Sequence, residues 1–164
     1  MNTQTRIIVL SVLLVGCASA PKPPTAANWM AGTYELDCDR VGQEGEQVVT
    51  VWTTAKSVDR ALAEARRNAV RGVLLRGLST TRCEVPPLLR PADITPEASR
   101  YLATFFAAGG QYEGYVSRAG DEAMDKVTVR DGVRVASLIV VARCRLQADL
   151  DKARVIRGFS GGLR

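Results

Sequence analysis

The sequence predicts an α+β domain, a mainly antiparallel sheet of about four strands with helices packed on one of its faces. Three observations carry that expectation. Period-two alternation runs through short β-branched stretches near both ends of the chain, one long middle segment has a helical period, and Asp131-Gly132 is a strong hairpin signal between two apolar runs. Hydrophobic residues make up 46% and charged residues 24% of the 164 positions. That balance belongs to an ordinary globular chain with one core, and it sets disorder aside except at the ends.

Taken in order, residues 1–16 carry one positive charge, Arg6, and then an apolar run from Ile7 to Val15 broken only by Ser11. This is the basic-then-apolar layout of a secretory leader. A helix over that run is about 14 Å long, less than half of a bilayer core of about 30 Å, so it does not make a permanent span. The run ends in Leu14-Val15-Gly16-Cys17, which resembles the lipobox of bacterial lipoproteins. That resemblance implies alkylation of the Cys17 thiol by diacylglycerol, cleavage after Gly16, and a mature chain hung from a membrane by its first residue. The alternatives are an unlipidated signal cut near Ala18-Ser19-Ala20 and an uncleaved anchor. Residues 17–31 then read as the lipidated cysteine and a proline-rich tether, with Pro21, Pro23 and Pro24 giving it extended character. Ala18 rather than Asp follows Cys17. In the lipoproteins of two-membrane bacteria that this chain resembles, that choice implies an outer-membrane position facing the periplasm.

The folded domain is expected over residues 32–158, with 159–164 as a loose tail. In Thr33 to Asp39, Tyr34, Leu36 and Cys38 share one face while Glu35, Asp37 and Asp39 share the other, as in a half-buried strand. A turn at 42–46 joins it to a second strand from Gln47 to Thr54. Ser57 is the expected N-cap of a helix whose stripe is Val58, Ala61, Leu62, Ala65, Ala69, Gly72 and Val73. Arg60, Arg67 and Arg71 fall opposite, Glu64 pairs with Arg60, and Asn68 beside the stripe reads as a buried amide bonded to backbone. Gly77 stops this helix. A proline-rich segment follows over 79–96, then a helix over 96–108 with Thr95 as N-cap, Pro96 at its first position and an apolar stripe of Tyr101, Leu102, Phe105 and Phe106. Tyr112 to Ser117 extends into a short strand, and a polar loop over 118–125 holds Asp121, Glu122 and Asp125. Lys126–Arg130 and Val133–Arg143 form the hairpin around Asp131-Gly132. The second of these is apolar on both faces and therefore central. Leu146, Leu150 and Ala153 outline a last helix, broken at Gly158.

With Cys17 given to lipid, three cysteines remain, so one disulfide at most forms within the chain. Export permits it. Cys38 faces inward, Cys83 sits in a long loop able to reach it, and Cys144 ends the central strand. Cys38 with Cys83 is the favoured pair, with another pairing or no bond as the alternatives. Closing that loop is worth about 4 kcal/mol in the chain-entropy treatment.

There is no histidine in the chain. The commonest general base and zinc ligand are therefore missing, as are the imidazole-dependent serine and cysteine nucleophiles. No C-x-x-C pair or phosphate-binding glycine loop is present, so no metal, cofactor or catalytic residue is expected. The formal charge of +5 with a pI near 9.3 reads, in an exported protein, as attraction to anionic head groups and not to nucleic acid. The order lipobox, tether, strand, strand, helix, with Ala-Arg-Arg-Asn-Ala at 65–69, is similar to a group of small bacterial envelope lipoproteins. More distantly it is similar to accessory lipoproteins of flagellar and secretion-system assembly. What the resemblance implies is a non-enzymatic structural or assembly component that docks on envelope proteins. A ligand-binding or sensing module built from the 79–96 loop and the 96–108 helix is the second reading. Third is a hydrolase using two of Glu35, Asp37, Asp39 or the acidic loop.

Overall fold

The computed structural model describes residues 29–80, 83–118 and 124–156. Cys17 and the leader, the tether through residue 28, Asp121, Glu122 and the 159–164 tail lie outside the described residues.

The chain enters the fold at Trp29, which is 5% exposed and stacks on Phe106 with ring centroids 5.6 Å apart. The packed domain thus includes Trp29, ahead of the boundary expected at residue 32. An indole placed beside an aromatic surface leaves water, whatever the proline content before it. Strand β1 (Tyr34–Val41), a 3-10 turn (Gln43–Gly45) and strand β2 (Gln47–Ala55) make the expected hairpin, in register from Tyr34 with Thr53 to Val41 with Gln47. The register slips between Cys38 and Arg40. β1 is an outer strand of the sheet, and this irregularity together with Glu35, Asp37 and Asp39 disfavours pairing with another chain.

Helix α1 (Val58–Leu75) starts where Ser57 Oγ accepts a bond from the Arg60 N–H at 3.4 Å. Its small-residue stripe, Ala61, Ala65, Ala69, Gly72 and Val73, is buried against β1, β2 and a later strand. Gly72 is needed there because a β-carbon would press into the Leu36 side chain. Gly77, at φ +65°, ends the helix with its N–H on Gly72 O at 3.1 Å.

Two short strands, β3 (Leu78–Ser79) and β4 (Glu84–Val85), then pair antiparallel, and Leu89 N–H bonds Leu74 O at 2.9 Å. Helix α2 (Pro96–Phe105) opens with Thr95 Oγ1 accepting from Ala98 N–H at 3.1 Å. It ends short of residue 108, with Gly109 at φ +67° in the turn beyond. The strand expected from Tyr112 is instead a 3-10 helix over Gln111–Tyr115, and only Val116–Arg118 is strand β5. Three residues per turn put Tyr112 and Tyr115 on one side of this turn. That lets Tyr112 meet Phe106 and Tyr115 meet Phe105, at 6.0 and 5.7 Å between centroids.

Strands β6 (Asp125–Val129) and β7 (Gly132–Val141) form the hairpin around Asp131-Gly132, and helix α3 (Arg143–Lys152) closes the described chain. Among the described residues the sheet has five strands rather than about four, all antiparallel in their pairings. Its order is β1-β2-β7, with β5 and β6 both against the far side of β7. β7 is central, as its two apolar faces require.

The two faces of this sheet differ. Cys38, Val49, Val51, Ile139 and Val141 join the residues of all three helices in one core cluster. The opposite row, Val48, Trp52, Ala136, Leu138, Val140 and Val127, has no member in that cluster. Among the described residues, helices therefore cover one face only, as expected.

Candidate functional site

Of the residues singled out in the sequence, Cys38 and Cys83 are brought together. They form a disulfide with Cα atoms 6.0 Å apart, pinning the proline-rich segment to β1. Cys144 does not end the central strand. β7 stops at Val141, and Cys144 sits exposed in the first turn of α3 as a free thiol.

The acidic residues of β1 do not converge. Glu35 reaches across the sheet to Arg134 at 2.7 Å, Asp39 binds its neighbour Arg40 at 2.8 Å, and Asp37 is exposed. Among the described residues no group of three histidine, cysteine or acidic side chains is placed to hold a metal ion. Loop 79–96 and helix α2 are each packed into the core through Cys83, Leu89, Ala98 and Leu102.

The concave site lies elsewhere, where the chain enters the domain. It is a pocket of about 390 Å³ between the segment Ala31–Glu35, the end of β2 and the middle of α1. Tyr34 and Trp52 supply aromatic walls, and Glu64, Arg67, Asn68 and Arg134 supply polar groups. Glu64 is held by Arg60 Nε at 3.1 Å, and Glu35, also on the wall, is held by Arg134. The Arg134 guanidinium also lies over the Trp52 ring, 4.8 Å from its centroid.

Arg71 organises the floor behind this pocket, against the expectation that it lies on the solvated side of the helix. It is 2% exposed. Its Nη1 donates to Trp29 O at 3.1 Å and to Ala31 O, and its Nη2 donates to Gly32 O at 3.4 Å and Asn68 Oδ1 at 2.8 Å. The guanidinium lies 4.7 Å from the Tyr34 ring centroid. Among the described residues it has no carboxylate partner; carbonyl dipoles and an aromatic face stand in for one. Burial pushes its pKa below the ordinary arginine value, with Tyr34 acting in the other direction. The segment 29–32 crosses the flank of α1 and replaces water there. Helical periodicity cannot anticipate this, because Arg71 and Arg67 look alike from the pattern. Asn68 is buried as expected, but its partners are side chains: Nδ2 donates to Thr53 Oγ1 at 3.3 Å, and Oδ1 accepts from Arg71.

A second concavity is broad and open, between Tyr101, Gly110, Gln111, Tyr115, Arg145 and Asp149. The Tyr115 hydroxyl donates to Asp149 Oδ2 at 2.9 Å, and Arg145 lies over the Tyr115 ring. Burial first, and then the bond to Asp149, push the Tyr115 pKa up to about 12. The same bond lowers that of Asp149. Among the described residues Asp149 is the one carboxylate lining this hollow, with no second one beside it to form an acid and base pair.

The helix-free sheet face is the other surface of note. Trp52, Thr50, Leu138 and Val140 are half-buried on it, and Val127 is 46% exposed. Asp37 on β1 and Asp125 on β6 are exposed beside this row, while Glu35 on the same face is paired with Arg134, and Arg40 lies opposite Val48. Among the described residues no helix is long and apolar enough to cross a membrane. Comparison of the chain with protein-family models, with curated proteins and with solved structures finds no match.

Proposed function

We propose that this chain is a membrane-tethered, non-enzymatic component of an envelope protein complex. It is held by an acylated Cys17 at the outer membrane, facing the periplasm, and docks through the face of the sheet that carries no helix. The observation that carries this reading is the apolar row Trp52, Leu138, Val140 and Val127 lying outside the core cluster of the helices. Such a row, half-buried at Trp52, Leu138 and Val140 and 46% exposed at Val127, suits contact with another protein. Two exposed carboxylates at the margins, Asp37 and Asp125, favour a partner surface with an apolar centre and basic residues around it, while Glu35 is already paired with Arg134. The lipobox likeness supplies the membrane, and the Cys38–Cys83 disulfide suits an oxidising compartment.

The test is affinity purification from detergent-solubilised membranes, comparing the wild type with Cys17→Ser and Val127→Glu. Co-purification of one defined envelope protein, lost in both variants, is the expected result. Recovery of the same protein with Val127→Glu at wild-type yield overturns the docking face. Membrane recovery of Cys17→Ser at wild-type yield overturns the tether.

A further inference from the structure

We infer that the pocket at the chain entry binds the free carboxyl end of an extended peptide. The volume, about 390 Å³, suits one or two residues. Three features choose the chemistry.

The first is the charge balance of the walls. Both carboxylates that line the pocket are already in ion pairs, Glu35 with Arg134 and Glu64 with Arg60. Arg67 also lines it, and its buried Nε has no acceptor among the described residues. Arg71, directly behind, is a buried cation without a carboxylate among the described residues. With both wall carboxylates engaged, Arg67 is the wall cation with a donor to spare, and a ligand carboxylate supplies the planar acceptor pair that a guanidinium fork matches.

The second is Asn68. It is 4% exposed and lines the pocket. Arg71 occupies its Oδ1 and Thr53 takes one Nδ2 hydrogen. The amide orientation is thereby set, and among the described residues one Nδ2–H remains for a ligand oxygen.

The third is the sheet edge. β2 continues past the end of β1: Thr54 and Ala55 pair with Arg134 and Val133 of β7, whereas pairing with β1 ends at Tyr34 opposite Thr53. Successive residues of a strand turn their backbone groups to opposite sides. One of these two residues therefore presents its N–H and C=O where β1 has turned away, and Thr54 lines the pocket. An extended chain end laid there adds a short strand segment and places its terminal carboxylate near Arg67 and Asn68.

The test is amide and side-chain NMR of the 15N-labelled full-length chain in detergent. Three probes are titrated: a pool of N-acetyl tripeptide acids with all twenty residues at the last position, the same pool as C-terminal amides, and sodium acetate. The acid pool is expected to shift Asn68 Nδ2, Arg67 Nε and the amides of Thr54 and Ala55, at concentrations at least tenfold below those the amide pool needs. Arg67→Gln is expected to abolish that preference while leaving the remaining spectrum in place. Equal binding of acids and amides overturns the inference, as does no shift with the acid pool. Shifts at Asn68 and Arg67 that acetate reproduces, with Thr54 and Ala55 unmoved, show a small-anion site and also overturn it.

Discussion

Replacing Arg71 with methionine tests the packing of the chain entry. The substitution keeps most of the volume and removes a guanidinium that serves four acceptors: the carbonyls of Trp29, Ala31 and Gly32 and the Asn68 amide oxygen. Hydrogen bonds to a charged group contribute about 1.5–3 kcal/mol each before the cost of burying the charge is subtracted. Each buried acceptor left without its donor costs about 1–3 kcal/mol. Here the segment 29–32 can peel into water and rehydrate its carbonyls, which lowers the expectation to about 3 kcal/mol. Arg71→Lys keeps the charge but not the fork, and falls between, at about 2 kcal/mol. Urea unfolding followed by circular dichroism gives the free energies. Tryptophan emission gives the mechanism, because Trp29, 5% exposed in the native fold, becomes solvated if the segment peels. An Arg71→Met protein within about 0.5 kcal/mol of wild type, with unshifted emission, refutes the claim that this guanidinium holds the entry segment.

Other expectations are more local. Cys83→Ser removes the bond that closes the loop from Cys38, a sequence separation of 45; it should cost about 4 kcal/mol in urea unfolding, and a reducing agent should then have no further effect. Tyr115→Phe should narrow its stability gap to wild type at both ends of the pH scale. The native Tyr115 pKa of about 12 lies above the ordinary value near 10, so its contribution is full below about pH 10 and fades as pH rises through 12. Asp149 has a lowered pKa, so its contribution is present above about pH 4 and fades as pH falls through the native value. A gap between Tyr115→Phe and wild type that stays constant from pH 8 to pH 11.5 contradicts this coupling. Glu35→Gln breaks an exposed ion pair, Glu35 being 69% and Arg134 38% exposed, and should change the unfolding free energy by less than about 1 kcal/mol.

Much of the fold is legible in the residues themselves. Alternation in Tyr34–Cys38 and Val49–Val51, the Ser57 and Thr95 caps, Gly77 and the Asp131-Gly132 turn are local signals, and the structure uses each one. The departures are tertiary. Tyr112 and Tyr115 have strand propensity, yet a 3-10 turn lets both reach the phenylalanines of α2. Cys144 follows an apolar run that reads as strand to its end, but the chain turns into α3 at Arg143. Trp29 and Arg71 were the hardest to anticipate, because the first belongs to a proline-rich tether by composition and the second to a solvated helix face by periodicity. Arg71 is buried by the segment that carries Trp29, whose carbonyl it bonds forty-two positions away, and the Trp29 ring is buried on Phe106. The pocket follows from that same contact, so sequence patterning gave no direct sign of it. The disulfide was legible because inward facing at Cys38 and a long loop at Cys83 restrict the options.

The proposed docking face is tested most directly by photo-crosslinking in the native envelope. Benzoylphenylalanine is placed at Val127 on the helix-free face and, as a control, at Arg100 on α2, whose side chain is 73% exposed. The account predicts one discrete adduct with an envelope protein from position 127, its absence from position 100, and its loss when Cys17 is changed to Ser. An unmodified chain at position 127, or the same adduct from both positions, contradicts it.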